Sequence, residues 1–203
     1  MMPKTRYDER QLKDLLLQMM ETELGGEKVY RTALQCAINE DLKEEWEKYL
    51  EETLSHQNVV RTTCEFLGIN ADEVTPSRQV VKHIGLSLVK AMELALSAGD
   101  RSAAQLVACE CVVHAETKDH ANWELLGMVA EVATGETGKA LKEAHARVEK
   151  DEDHHLYHTK GWCRELAIQS LGLPAVLPPP EEIKQVETAI GASRAEQQRK
   201  SML

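Results

Sequence analysis

Glu152 and His155 lie three positions apart on what the hydrophobic pattern predicts to be the buried face of a helix. That face, within residues 138–166, comprises Leu141, His145, Val148, Glu152, His155, Thr159, Trp162 and Leu166. A carboxylate and an imidazole among apolar residues must be paired, hydrogen-bonded or bound to a metal ion, because an unpaired buried charge is costly. Glu-x-x-His is also a spacing by which bundle helices bind metal ions in a shared core. The neighbouring His154 and His158 are predicted to face solvent.

A single Glu-x-x-His often arises by chance in a charged helix, so a metal site requires matching groups from other helices. The first long helix has a predicted core stripe of Leu16, Met20, Glu23, Glu27, Tyr30, Leu34 and Ala37. Glu27 lies in the middle of that stripe and is the favoured ligand, with Glu23, one turn earlier, as the second choice. In the last long helix Glu149 is the corresponding second choice to Glu152.

Two further helices carry the same kind of polar interruption. The core face of the second comprises Leu42, Trp46, Tyr49, Thr53, His56, Val60, Thr63 and Leu67. His56 is central, and Glu52 lies one turn before it on the same side. The core face of the third comprises Val113, Glu116, His120, Trp123, Gly127 and Ala130. Glu116 is its favoured ligand and His120 the second choice, so each long helix has an ionisable group in mid-stripe.

The distances of these groups from the turns favour a single cluster. In an antiparallel hairpin, residues equidistant from the turn lie side by side. The midpoint of positions 27 and 56 falls at 41–42, beside a predicted turn at 39–41, and that of positions 116 and 152 falls at 134, in a Gly-containing turn. Two such hairpins packed face to face would bring several carboxylates and two imidazoles to one level. Such a donor set suits Fe or Mn, with Zn as a further candidate.

Helical periodicity and breaking residues define the organisation of the chain. Helices are predicted at residues 9–38, 41–67, 78–98, 101–133 and 138–171. Pro174 and Pro178-Pro179-Pro180 then interrupt the pattern. We therefore predict a helical bundle over residues 1–172. Residues 173–203 are predicted to be a Pro-rich linker and a tail with one short amphipathic helix. The stretch from Ser193 to Leu203 is predicted to be disordered at its end.

Composition excludes several classes of function. The net charge is −10, which argues against binding to the nucleic-acid backbone. No segment combines the length and apolarity of a membrane span, and the amino terminus lacks an apolar signal core, so a cytoplasmic location is expected. The five cysteines form no Cys-x-x-Cys pair and are expected to be reduced.

Two stretches carry a family resemblance. The sequence Tyr-Leu-Glu-Glu-Thr-Leu-Ser-His-Gln from Tyr49, and Val-Val-His-Ala-Glu at 112–116, resemble the Yci-type family of ferritin-like stress proteins. The resemblance covers about residues 10–170 and includes a similar extra helix between the second and third bundle helices. It implies an all-α, ferritin-like antiparallel four-helix bundle with a dinuclear metal centre. The positions that match its ligands are Glu27, Glu52, His56, Glu116, Glu152 and His155.

The chain also departs from that family. It has Glu52-x-x-x-His56 rather than Glu-x-x-His, and His120 where the family usually has an aromatic residue. Both spacings place the two side chains on one helix face, but the geometry of chelation differs.

The resemblance implies redox chemistry at two Fe or Mn ions, which would react with O2 or peroxide in stress defence or iron handling. The expected activity is that of an oxidase, a peroxidase or a ferroxidase. A small oxidant and a second copy of the chain, in a homodimer, are the expected partners. Two alternatives stay open: a non-catalytic bundle that acts through protein partners, and an enzyme with a mononuclear metal. Metal content per chain distinguishes the three.

Overall fold

A computed structural model describes residues 7–203, and every secondary-structure element in that range is helical. The helices are α1 (Glu9–Cys36), α2 (Glu40–Phe66), α3 (Pro76–Ser97), α4 (Arg101–Val132), α5 (Gly135–Ser170), α6 (Pro180–Ile183) and α7 (Ala189–Gln198), followed by a 3-10 turn (Arg199–Ser201). The all-α prediction is confirmed. The five long helices begin and end within three residues of their predicted bounds.

Local sequence signals explain where the long helices start. A side-chain oxygen caps the first turn of each of the first four, from Asp8, Asn39, Thr75 and Asp100 respectively. Pro76 occupies the first position of α3, where its missing N–H costs no hydrogen bond. Gly99, just after α3, has a φ of 85°, a backbone conformation that glycine adopts without strain.

The four longest helices form an antiparallel ring. Helix α1 packs against α2 and α4, and α5 packs against the same two helices. The start of α4 lies beside the end of α1, since Gln105 Oε1 accepts hydrogen bonds from the backbone N–H groups of Ile38 and Asn39, both at 2.8 Å. The start of α2 lies beside the end of α5, where Trp162 Nε1 donates to Glu45 Oε2 at 2.5 Å. Helix α3 packs outside the ring against α1 and α4.

The apolar core of the ring is divided into two layers. One layer contains Tyr30, Trp46, Tyr49, Val112 and Trp162. The other contains Leu16, Met20, Val60, Trp123 and Val148. On every helix of the ring, buried polar residues lie between the two layers, at mid-bundle. Within residues 7–203, no helix is both long and apolar enough to cross a membrane.

The carboxy-terminal segment lies against the end of α5. The Glu165 carboxylate, which is fully buried, accepts hydrogen bonds from Val176 N at 2.8 Å and from Arg199 Nε at 2.7 Å. Arg164 forms a two-bond ion pair with Glu181. Helix α7 runs to Gln198 and the 3-10 turn follows to Ser201, so regular structure extends nearly to the end of the stretch in which the sequence predicts disorder.

His158 contacts this segment too, and the prediction that it faces solvent is wrong. The ring is buried, and its Nε2 donates to the carbonyl oxygen of Val186 at 3.0 Å. Its Nδ1 lies 3.1 Å from Glu45 Oε1. The sequence pattern could not show this, because one of the residues that His158 contacts, Val186, comes from beyond the predicted bundle.

Candidate metal centre

Two triads of buried side chains lie at mid-bundle and share one residue. Glu23, His56 and Glu152 form the first, and Glu116, Glu152 and His155 form the second. Within each triad the candidate ligand atoms all lie within 4.8 Å of one another. Glu152 Oε1 lies 3.1 Å from His56 Nδ1 and 4.0 Å from His155 Nδ1. Glu152 therefore faces both imidazoles, and each of the two triads could hold a metal ion.

The first half of the centre is held by one aromatic and one acidic neighbour. Trp123 Nε1 donates to Glu23 Oε1 at 3.0 Å, which leaves Glu23 Oε2 facing His56 Nδ1 at 3.8 Å. On its other side, His56 Nε2 donates to Asp151 Oδ2 at 3.3 Å. A carboxylate on one ring nitrogen fixes the ring and makes the opposite nitrogen the ligand.

The second half repeats this arrangement with different residues. The Tyr30 hydroxyl donates to Glu116 Oε1 at 2.7 Å, and Glu116 Oε2 lies 3.5 Å from His155 Nδ1. His155 Nε2 donates to Glu52 Oε2 at 3.0 Å. The Tyr49 ring packs on the His155 ring with the centroids 4.2 Å apart. Each half therefore presents one carboxylate oxygen and one Nδ1 atom toward the shared Glu152.

The inward-facing atoms have no hydrogen-bond partner. They are Glu23 Oε2, His56 Nδ1, Glu116 Oε2, Asp119 Oδ1 and both oxygens of Glu152. Buried polar atoms in folded proteins are nearly always satisfied, and each unsatisfied group costs about 1–3 kcal/mol. Five of these six atoms belong to residues of the two triads, which could hold a metal ion, and Asp119 belongs to neither triad.

Burial and mutual repulsion change the protonation of the carboxyls. Desolvation, together with the nearby charges of Asp119 and Glu152, raises the pKa of Glu23 well above its ordinary value. Desolvation and the charges of Glu152 and Glu116 do the same to the pKa of Asp119. Desolvation also raises the pKa of Glu152. Without a cation, these carboxyls therefore keep their protons to a higher pH than exposed carboxyls do.

The pKa values of the two imidazoles are also raised, but by attraction to carboxylates and not by burial. Burial disfavours the charged ring, but the surrounding carboxylates outweigh it and raise the pKa of His155 to about 10. The Asp151 and Glu152 carboxylates raise the pKa of His56 in the same way. A metal ion that binds at Nδ1 must displace a proton from each ring, so metal binding should release protons.

Of the six favoured ligands, the structure places four in the triads: His56, Glu116, Glu152 and His155. Glu27 is not among them. It lies one turn away, where its carboxylate accepts hydrogen bonds from Arg31 at 2.9 Å and Gln57 at 3.1 Å, and Glu23 takes its place. Glu52 contacts the outer nitrogen of His155 and belongs to neither triad.

The second choices on α4 and α5 lie outside the centre. His120 Nε2 donates to Asp153 Oδ1 at 2.8 Å. Glu149 is largely exposed and lies 3.5 Å from His145 Nδ1. Both are on the side of the bundle where a surface pocket reaches Glu152.

Two acidic residues close to the centre, Asp119 and Asp151, are not predicted from the sequence. The buried face of α4 is formed by Val112, Glu116, Asp119, Trp123, Leu126 and Ala130. This face is adjacent to the predicted one, and its apolar residues are larger, with Leu126 in place of Gly127. That difference in size could have indicated the correct face and with it Asp119. Asp151 gives no such signal, because its partner His56 lies on another helix.

Comparison of the chain with protein-family models, with curated proteins and with solved structures finds no match. The assignment of function therefore rests on the geometry of the site.

Proposed function

We propose that the protein binds two metal ions, Fe or Mn, in a ferritin-like carboxylate centre and reacts with a small oxidant, O2 or peroxide. The observation that carries the proposal is the sharing of Glu152 by two triads, each with its own imidazole and its own carboxylate. One triad would suffice for a mononuclear site. Carboxylate oxygens with one imidazole per ion suit Fe and Mn.

The residues around the ligands support the same reading. Each imidazole has an outer carboxylate, and each terminal carboxylate has an aromatic donor, so the ligands are oriented before any ion binds. When bound, two reduced ions would supply two electrons, which with two protons reduce O2 to hydrogen peroxide or hydrogen peroxide to two water molecules. The six side chains with inward-facing atoms or imidazoles are at most 5% exposed, so only a small molecule could reach the ions.

Oxygen consumption tests this proposal. Anaerobic protein loaded with Fe(II) should consume O2 or peroxide faster than the same concentration of free Fe(II). Glu116→Ala should lose most of the excess rate, because Glu116 is the carboxylate that belongs to the second triad alone. Glu143→Ala, on the exposed surface of α5, is the matched control and should react as the wild type does.

The other outcomes select the alternatives. A wild type that binds the ions but shows no excess rate would reject redox catalysis and favour a bundle that acts through protein partners. Retention of the full rate by Glu116→Ala would show that the reaction occurs elsewhere on the protein.

A further inference from the structure

A surface pocket extends from solvent to one residue of the buried centre, Glu152. It has a volume of about 230 Å³ and is formed by α4, α5 and the start of α7. Glu152 is one of its lining residues, and both Glu152 carboxylate oxygens are buried and have no hydrogen-bond partner. The pocket therefore ends at the residue whose carboxylate the two triads share, with that carboxylate buried behind the pocket wall.

The polar side chains that line this pocket differ in how much of their surface is exposed to solvent. The exposed fraction of the side chain falls from 62% at Glu149 and 61% at Glu124 to 25% at Asp153. It falls further to 12% at His120 and 2% at Glu152. Carboxylates and imidazoles thus occur both at the exposed rim and among the buried lining residues of the pocket.

The charge of the pocket favours a cation. The lining residues include four acidic residues and two histidines, and none of those described is Lys or Arg. Each imidazole has a carboxylate near it, with His120 bonded to Asp153 at 2.8 Å and His145 at 3.5 Å from Glu149. Gly127 makes room for His145, because a Cβ there would lie 2.5 Å from its Nε2. A concave site of one sign of charge concentrates its counter-ion and speeds binding about 10- to 1,000-fold.

We propose that this pocket is the uptake site through which a divalent metal ion reaches the buried centre. Glu124 and Glu149 attract the ion at the rim, His120, His145 and Asp153 bind it transiently, and Glu152 accepts it at the inner wall. This inference rests on the proposed function, since it requires that the centre binds metal. It assigns a role to His120 and Glu149 that is separate from ligation in the centre.

The rate at which the metal-free full chain takes up Co(II) tests the proposal. The d–d absorbance of the bound ion reports this rate. The triple variant Glu124→Gln, Glu149→Gln, Asp153→Asn should take up Co(II) at least about tenfold more slowly. Its final content of ions per chain should equal that of the wild type. The difference in rate should shrink at high ionic strength, because salt screens the attraction.

A matched control removes three charges from the same two helices outside the pocket. It is the triple variant Glu110→Gln, Glu136→Gln, Glu143→Gln, whose three carboxylates are exposed. The control should load at the wild-type rate. A second variant, Ala189→Lys, adds a positive charge to the pocket wall and should slow uptake without removing any carboxylate.

Three results would overturn the proposal in distinguishable ways. Equal uptake rates in the pocket variant and the control would place the route elsewhere. A lower final content at an unchanged rate would make the pocket carboxylates part of the binding site itself. A wild type that binds no Co(II), Mn(II) or Fe(II) at equilibrium would refute the proposed function as well.

Discussion

At the scale of single residues, each of four side chains in the centre has one polar atom hydrogen-bonded to a neighbour and another that faces inward. Glu23 and Glu116 each bond an aromatic donor through one oxygen and leave the other oxygen unpartnered. His56 and His155 each donate from Nε2 to an outer carboxylate and turn Nδ1 inward. A ligand held in this way keeps its orientation without a bound ion, which lowers the cost of binding.

The Glu52 carboxylate, which accepts the hydrogen bond from His155 Nε2, provides the test at this scale. Glu52→Gln keeps the size of the side chain but removes the charge that orients and polarises the imidazole. We expect metal affinity to fall about 10- to 100-fold, as measured by competition with a chelator of known affinity. Glu51→Gln, on the exposed side of the same helix, should bind metal as the wild type does. Equal affinities for Glu52→Gln and the wild type would remove Glu52 from the site.

At the scale of helices, the sequence predicts which segments are helical and which faces are buried. It does not decide which of two acidic residues one turn apart on the same face belongs to the centre. Glu23 and Glu27 lie on the same face of α1. Which of them lies beside His56 depends on the position of the turn, because residues equidistant from the turn lie side by side. The helices end at Cys36 and begin at Glu40, so the turn is centred nearer 38 than 40. The midpoint of 23 and 56 lies between 39 and 40, closer to that centre than the midpoint of 27 and 56.

The outer partners of the imidazoles could not be predicted in this way. Asp151 is adjacent to Glu152 in the chain, yet it contacts His56, which lies on α2. Glu52 contacts His155 across the same pair of helices. Such contacts depend on the rotation of α2 relative to α5, which hydrophobic periodicity does not determine.

The attachment of the carboxy-terminal segment to α5 gives a test at the same scale. Glu165→Ala removes the acceptor of the hydrogen bonds from Val176 N and Arg199 Nε. We expect a loss of about 1–3 kcal/mol in the free energy of unfolding. Cleavage by trypsin after Lys184 should also become faster, because the segment opens more often.

The matched control for this variant is Glu196→Ala, which removes an exposed carboxylate of α7. Limited proteolysis with mass spectrometry of the fragments should show no change for that variant. If Glu165→Ala is cleaved at the same rate as the wild type, the buried ion pair does not hold the segment in place.

At the scale of the whole molecule, a polar layer divides the apolar core of the bundle, and its charge links stability to pH. The raised pKa values of Glu23 and Asp119 mean that the folded protein retains protons that the unfolded chain loses above about pH 4. Stability must therefore fall as pH rises above that value. His155 acts in the same direction, because its raised pKa contributes stability that is lost between about pH 6.5 and 10.

Thermal melts of metal-free protein should show this loss. As far as these groups determine it, the melting midpoint should decrease from about pH 5 to pH 9. Metal replaces the protons, so saturating Mn(II) should raise the midpoint more at high pH than at low pH. At a hundredfold excess over the dissociation constant the stabilisation should be roughly 3 kcal/mol. A midpoint that rises with pH in the absence of metal would contradict the protonation assigned to the centre.

The number of metal ions bound per chain tests the central claim most directly. Metal-free protein dialysed against Mn(II) and then analysed for metal and protein should contain two ions per chain. Glu152→Ala should lose binding at both positions, because the two triads share that carboxylate, whereas Glu143→Ala should retain two ions. One ion per chain in the wild type would indicate a mononuclear site, and none would show that the buried polar layer binds no metal.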